Sequence, residues 1–215
     1  MEELKEAFKD KHIPEGGSVE IHFEIMKPWI KDKKTVMEIG FNAGFGAAWF
    51  LENGADKVVS FDICQYGHEQ MAHDVLEKKF PGKHTLVKGD SMKTIPDYQG
   101  DKFDFIFIDG YHWGQWPEMD MRNCAQWAHE NTIVIVDNIS FKVDSQVLRQ
   151  RNWPENKYYN VTDAWNKVIM EKIIEPYRID CRYENGNVAP SCMGIGKYNH
   201  TQYYNGRSPY HIVEK

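Results

Sequence analysis

Four residues near the middle of the chain have the types and spacing to do chemistry. Asp109 stands in the run Phe107-Ile108-Asp109-Gly110-Tyr111-His112, and Asp137 and Asn138 close the run Val134-Ile135-Val136-Asp137-Asn138, 28 residues further on. Oxygen-bearing side chains gathered at one place suit a hard cation such as Mg²⁺, which keeps some positions for water or substrate. The same carboxylates could equally cap helices or satisfy turns. His112 lies three residues beyond Asp109, and an imidazole titrating near neutrality can take a hydroxyl proton. Tyr111, Trp113 and Trp116 either wall a pocket there or pack beneath a loop.

A second constellation lies upstream. Glu38-Ile39-Gly40-Phe41-Asn42-Ala43-Gly44-Phe45-Gly46 is a glycine-rich turn in which the backbone can approach a ligand that side chains would obstruct. An ordinary tight turn would need the same glycines. Asp62, followed by Ile63, comes 24 residues after Glu38, where a carboxylate can accept from ribose hydroxyls, and Gly89-Asp90-Ser91 can offer polar groups to an adenine edge. The spacing of Gly40, Gly44 and Gly46 is not that of the dinucleotide fingerprint. Glu38 also suits a cofactor bearing a cationic amino acid better than a pyrophosphate.

The elements that would position these residues alternate along the chain. Strands are predicted at Thr35 to Ile39, Lys57 to Asp62, His84 to Lys88, Phe103 to Ile108 and Asn131 to Val136. Helices are predicted from about Gly44 to Glu52, His68 to Phe80, Pro117 to Ala128 and Asp163 to Ile174. Such alternation implies right-handed βαβ units and a parallel sheet. The run Phe103 to Ile108 is apolar enough to be covered on both faces. Near the end, Tyr177 to Tyr183 and Ser191 to Tyr198 flank Glu184-Asn185-Gly186-Asn187, a hairpin signal. The reading is a single α/β domain over residues 1–215, with residues 1–30 a peripheral helical appendage, 35–140 the ligand-binding core and 161–198 a terminal helix and hairpin.

The 215 residues are 41% hydrophobic and 27% charged, with a net charge of −6. That composition is globular and argues against a protein built to hold nucleic acid. The start MEELKEAFKD has no apolar segment, so no signal peptide is expected, and no run approaches the ~18 apolar residues of a membrane span. Cys64, Cys124, Cys181 and Cys192 show no Cys-x-x-Cys spacing, which argues against a zinc or redox motif and fits a reducing, cytoplasmic location.

Taken jointly, EIGFNAGFG, FDI, GDS, FIDGYH and VIVDN resemble the class I S-adenosylmethionine (SAM) dependent methyltransferases. More narrowly they are similar to the metal-dependent O-methyltransferases that include the catechol and macrolide-sugar enzymes. The resemblance spans roughly Thr35 to Ser140. It implies a Rossmann-like seven-stranded sheet, mostly parallel with a reversed last strand and helices on both faces. It also implies that Glu38, Gly40, Phe41, Asn42, Gly44, Asp62, Ile63, Asp90, Ser91 and Asp109 form the SAM site, and that Asp109, Asp137 and Asn138 hold a divalent metal, Mg²⁺ first. His112 falls where the catechol enzyme has a catalytic lysine and the sugar enzymes a histidine, whereas the Asp137-Asn138 pair follows the catechol branch. The activity implied is O-methylation of a small hydroxylated molecule with His112 as base. A metal-independent methyltransferase and a SAM-binding module without catalysis are the alternatives, and self-association is left open.

Overall fold

The computed structural model describes residues 1–13, 20–139, 159–182 and 191–199. Among these residues seven strands form one sheet: β1 (Thr35–Ile39), β2 (Lys57–Asp62), β3 (His84–Lys88), β4 (Phe103–Ile108), β5 (Ala128–Val136), β6 (Ile174–Arg182) and β7 (Ser191–Tyr198). Their order is β3-β2-β1-β4-β5-β7-β6. β1 to β5 pair in parallel, while β7 runs antiparallel to both β5 and β6. The strand order reverses between β1 and β4, and open parallel sheets take their ligands at such a switch point, beyond the strands' carboxyl ends.

Among the described residues, seven α-helices flank the sheet: α1 (Glu2–Phe8), α2 (Glu20–Ile30), α3 (Phe45–Glu52), α4 (His68–Lys79), α5 (Ser91–Asp97), α6 (Trp116–Cys124) and α7 (Tyr159–Met170). Two apolar layers follow from the strand period of two. Val36, Phe105 and Phe107 pack with Leu4, Phe23, Phe50 and Leu76 of α1 to α4. Met37, Ile39, Ile106 and Ile108 pack with Ile95, Met121 and Trp165 of α5 to α7. β4 is therefore covered on both faces, as its composition requires. Trp165 of α7 lies against β7 so closely that a Cβ on Gly194 would stand 2.7 Å from its ring.

The short helix α5 has no counterpart in the sequence reading; Asp90 caps it by accepting from the Met92 amide. β5 and α7 begin a few residues earlier than their periodicity suggests. The turn Glu184–Asn187 lies outside the described residues. Cys64 and Cys124 are free, but the other two cysteines depart from the reading of a reducing compartment. β6 and β7 set Cys181 opposite Cys192, and the two form a disulfide. Only strand pairing brings them together, so no spacing motif announces it. No described helix is long and apolar enough to cross a membrane.

Candidate active site

The strand ladder runs one residue past each of the central strands, which sets the loops level along one edge. Gly40 N donates to Phe61 O (2.9 Å), Asp109 N to Ile39 O (2.8 Å), Asp137 N to Ile108 O (3.0 Å) and Gly89 N to Asp62 O (2.9 Å). The loops after β1, β2, β3, β4 and β5 thus open together.

At the β1 end, Gly40 has φ +90°, and a Cβ there would lie 2.0 Å from the carbonyl oxygen of Asp109. Glycine is required by the backbone conformation and by the close passage of the β4 loop. Asn42 is also left-handed, and its Oδ1 meets His68 Nε2 at 2.7 Å. The Asp62 carboxylate holds this loop in place: Oδ2 accepts from the amides of Phe41 (2.8 Å) and Asn42 (3.0 Å), and Oδ1 from Cys64 N (2.7 Å).

Glu38 lies behind the loop, 1% exposed, and does not reach the cavity. Ser60 Oγ donates to its Oε2 (2.5 Å) and meets His84 Nε2 (3.0 Å), while His84 Nδ1 meets His73 Nδ1 (2.8 Å). The contacts form one chain, His73 to His84 to Ser60 to Glu38, in which the Ser60 hydroxyl donates to Glu38. Burial pushes Glu38 up to about 8, helped by the negative charges of Asp109 and Asp62. Burial likewise pushes His84 down to about 3. Both groups are thus neutral at pH 7, as groups cut off from water tend to be.

Beyond β3, Asp90 Oδ1 also accepts from Trp116 Nε1 (3.1 Å), which anchors the start of α6 across the loop. Ser91 hydrogen-bonds to Asp120, whose burial raises it to about 7. Ile63 is 59% exposed at the rim. Nearby, the buried Glu69 accepts the Tyr66 amide at Oε1 (3.1 Å), and its Oε2 has no hydrogen-bond partner.

At the β4 and β5 ends, one ligand atom from each of His22, Asp109 and Asp137 lies within 4.8 Å of the others. His22 comes from α2, the segment that reads as peripheral. His112 Nε2 lies 3.3 Å from Asp109 Oδ1, with its side chain 42% exposed. Asp137 is 2% exposed; its burial, and then the charge of Asp109, raise its pKa. Asn138 follows with left-handed backbone (φ 59°) and an exposed side chain.

These groups line one cavity of about 560 Å³, within the usual size of a small-molecule site. Gly40, Phe41, Asn42, Asp62, Ile63, Asp90, Ser91, Asp109, His112, Asp137 and Asn138 all line it; Glu38 and Gly44 stand behind. Of the aromatic residues singled out, Tyr111 and Trp116 are in the wall and Trp113 is not. The sequence reading missed His22, Gln65, Tyr66 and Glu69. None lies in a strand-end motif; only the amphipathic pattern of α4 hints that Glu69 is buried.

Residues 37–139 match the family described as Methyltransferase domain. Over that stretch the chain is similar to the methyltransferase-domain family, and the strand order β3-β2-β1-β4-β5-β7-β6 is in keeping with it. Solved structures agree in architecture. An O-methyltransferase from Bacillus cereus in complex with SAH superposes with a TM-score of 0.73 at 16% identity, covering 92% of this chain and 90% of that one. The cofactor-bound protein Rv0187 from MTB gives 0.72 at 14%, covering 91% and 86%. The O-methyltransferase TomG from Streptomyces achromogenes, in complex with SAM, gives 0.69 at 13%, covering 92% and 86%. No curated protein sequence matches the chain significantly.

Proposed function

We propose that this protein transfers the methyl group of SAM to an oxygen of a small hydroxylated molecule, with a divalent cation held at the ends of β4 and β5. The observation that carries the reading is the opening of the Asp109, Asp137 and His22 cluster into the same cavity as the glycine loop. The residues fit both groups. The cavity lies against the glycine loop at Gly40, Phe41 and Asn42, and Asp137 Oδ1 is a buried oxygen with no hydrogen-bond partner. Such an oxygen is costly unless something answers it.

SAM supplies an already activated methyl group, and a cation at the acidic cluster would lower the pKa of an acceptor hydroxyl beside it. The chain's own work is then alignment and proton handling. The second lone pair of Asp62 Oδ1 and the unpartnered Glu69 Oε2 are the acceptors for ribose hydroxyls. Ile63 offers an apolar face to the adenine. Gly40 and Gly110 let the backbone lie close to the methionine part. Asp109, Asp137 and Asn138 are the metal ligands. His112 takes the acceptor's proton, and the Asp109 carboxylate, 3.3 Å from its Nε2, favours the imidazolium that results.

The test is production of S-adenosylhomocysteine from a panel of vicinal diols and phenols, with Mg²⁺ or Mn²⁺ and with excess chelator. Turnover on a hydroxylated acceptor that chelator abolishes supports the reading. Turnover indifferent to chelator rejects the metal, and methylation confined to nitrogen acceptors rejects the oxygen chemistry.

A further inference from the structure

The cluster at the ends of β4 and β5 contains a nitrogen donor supplied by another part of the chain. His22 Nε2 lies 3.6 Å from Asp137 Oδ2, too far for a hydrogen bond. Two ligands bound to one ion at 2.0–2.2 Å stand about 3.0–3.6 Å apart, depending on coordination geometry. The His22 side chain is only 12% exposed and that of Asp137 2%. His22 Nδ1 and Asp137 Oδ1 are both buried without a hydrogen-bond partner. The imidazole has little freedom to turn away, because α2 is fastened to the core by Phe23, Ile25, Met26 and Ile30, all buried.

We propose that His22 is a ligand of this metal centre, and that its nitrogen makes the site select a first-row transition cation over Mg²⁺. The inference rests on the metal reading above and goes beyond it. An all-oxygen set suits Mg²⁺, whereas imidazole suits the transition ions, so one nitrogen shifts the preference. The donor arrives from the helix before β1, so binding the ion ties α2 to the catalytic edge of the sheet.

The experiment is calorimetric titration of the chelator-treated chain with Co²⁺ and with Mg²⁺, alongside the visible absorption of the Co²⁺ form. The proteins are the wild type, His22→Ala, His22→Gln and Asp109→Asn. Binding of S-adenosylhomocysteine checks that each variant is folded, and His22→Gln is read alone if His22→Ala does not fold. The wild type is expected to bind one Co²⁺ more tightly than Mg²⁺. Each His22 variant should lose at least about tenfold in Co²⁺ affinity, with a changed absorption band, and keep Mg²⁺ affinity within about threefold. Oxygen-only sites also favour Co²⁺ to some degree, so the collapse of the preference on losing His22 is the decisive readout. Unchanged Co²⁺ affinity and spectrum in a folded His22 variant overturns the proposal. If Asp109→Asn then still loses both cations, the metal centre stands without His22. A wild type that binds neither cation overturns both.

Discussion

Asp62 Oδ2 accepts the amides of both Phe41 and Asn42, so the end of β2 clasps the loop that leaves β1. A carboxylate in this role answers two loop amides with one oxygen and the Cys64 amide with the other, at the wall of the cavity. Replacing it by Ala removes charge-assisted hydrogen bonds worth about 2 kcal/mol and releases the loop. Asp62→Ala is expected to weaken S-adenosylhomocysteine binding by at least about tenfold in calorimetry. Asp62→Asn, which keeps one acceptor oxygen, should fall between the two. Wild-type affinity in Asp62→Ala would separate the clasp from cofactor binding.

Gly40 tolerates no side chain. In Gly40→Ala the new methyl would meet the Asp109 carbonyl at 2.0 Å in a backbone region that alanine rarely adopts. β1 and β4 must then separate at the point where the cavity begins. We expect a loss of about 2 kcal/mol or more in urea unfolding, together with loss of cofactor binding. A variant as stable as the wild type would show that the two loops move apart freely.

The pH dependence of stability on the alkaline side follows from Glu38. Its folded pKa, about 8, is raised above the ordinary 4.5 by burial. The neutral form is therefore the one the fold accepts. The contribution is whole below pH 4.5 and is lost progressively as pH rises to about 8. Glu38→Gln, which stays neutral, should flatten the decline of melting temperature across that window. Parallel melting curves for variant and wild type would mean that Glu38 is not buried as described.

The acid side is governed by His84, whose folded pKa of about 3 lies below its ordinary 6.5 because of burial, with the charge of His73 adding to it. The stability it contributes is complete above pH 6.5 and is lost as pH falls toward 3. His84→Gln should blunt that acid-side loss, at the cost of part of the chain through Ser60 to Glu38. Equal acid sensitivity with and without the imidazole would assign the loss to other groups.

Catalysis, on the proposed reading, depends on the Asp109 carboxylate. Asp109→Ala removes a metal ligand and the partner of His112 together. Its kcat/KM should fall by more than about 100-fold, roughly 2.7 kcal/mol, while binding of S-adenosylhomocysteine stays within a few fold. Full turnover of this variant in the presence of chelator would leave the acidic cluster without a chemical role.

Much of this protein is decided locally. The run Phe103 to Ile108 reads as a strand covered on both faces, Gly40 reads as part of a turn that needs glycine, and alternating strands and helices lead to a parallel sheet with Asp62, Asp109 and Asp137 at its carboxyl edge. These outcomes are legible because periodicity and glycine placement act over a few residues. Partners distant along the chain are another matter. Cys181 meets Cys192 through the pairing of β6 and β7, Glu38 meets Ser60 and His84 by lying behind its own loop, and His22 reaches Asp137 through the packing of α2. Burial and register are properties of the assembled layers, and it is burial that sets the charge of Glu38 and leaves Asp137 Oδ1 without a partner.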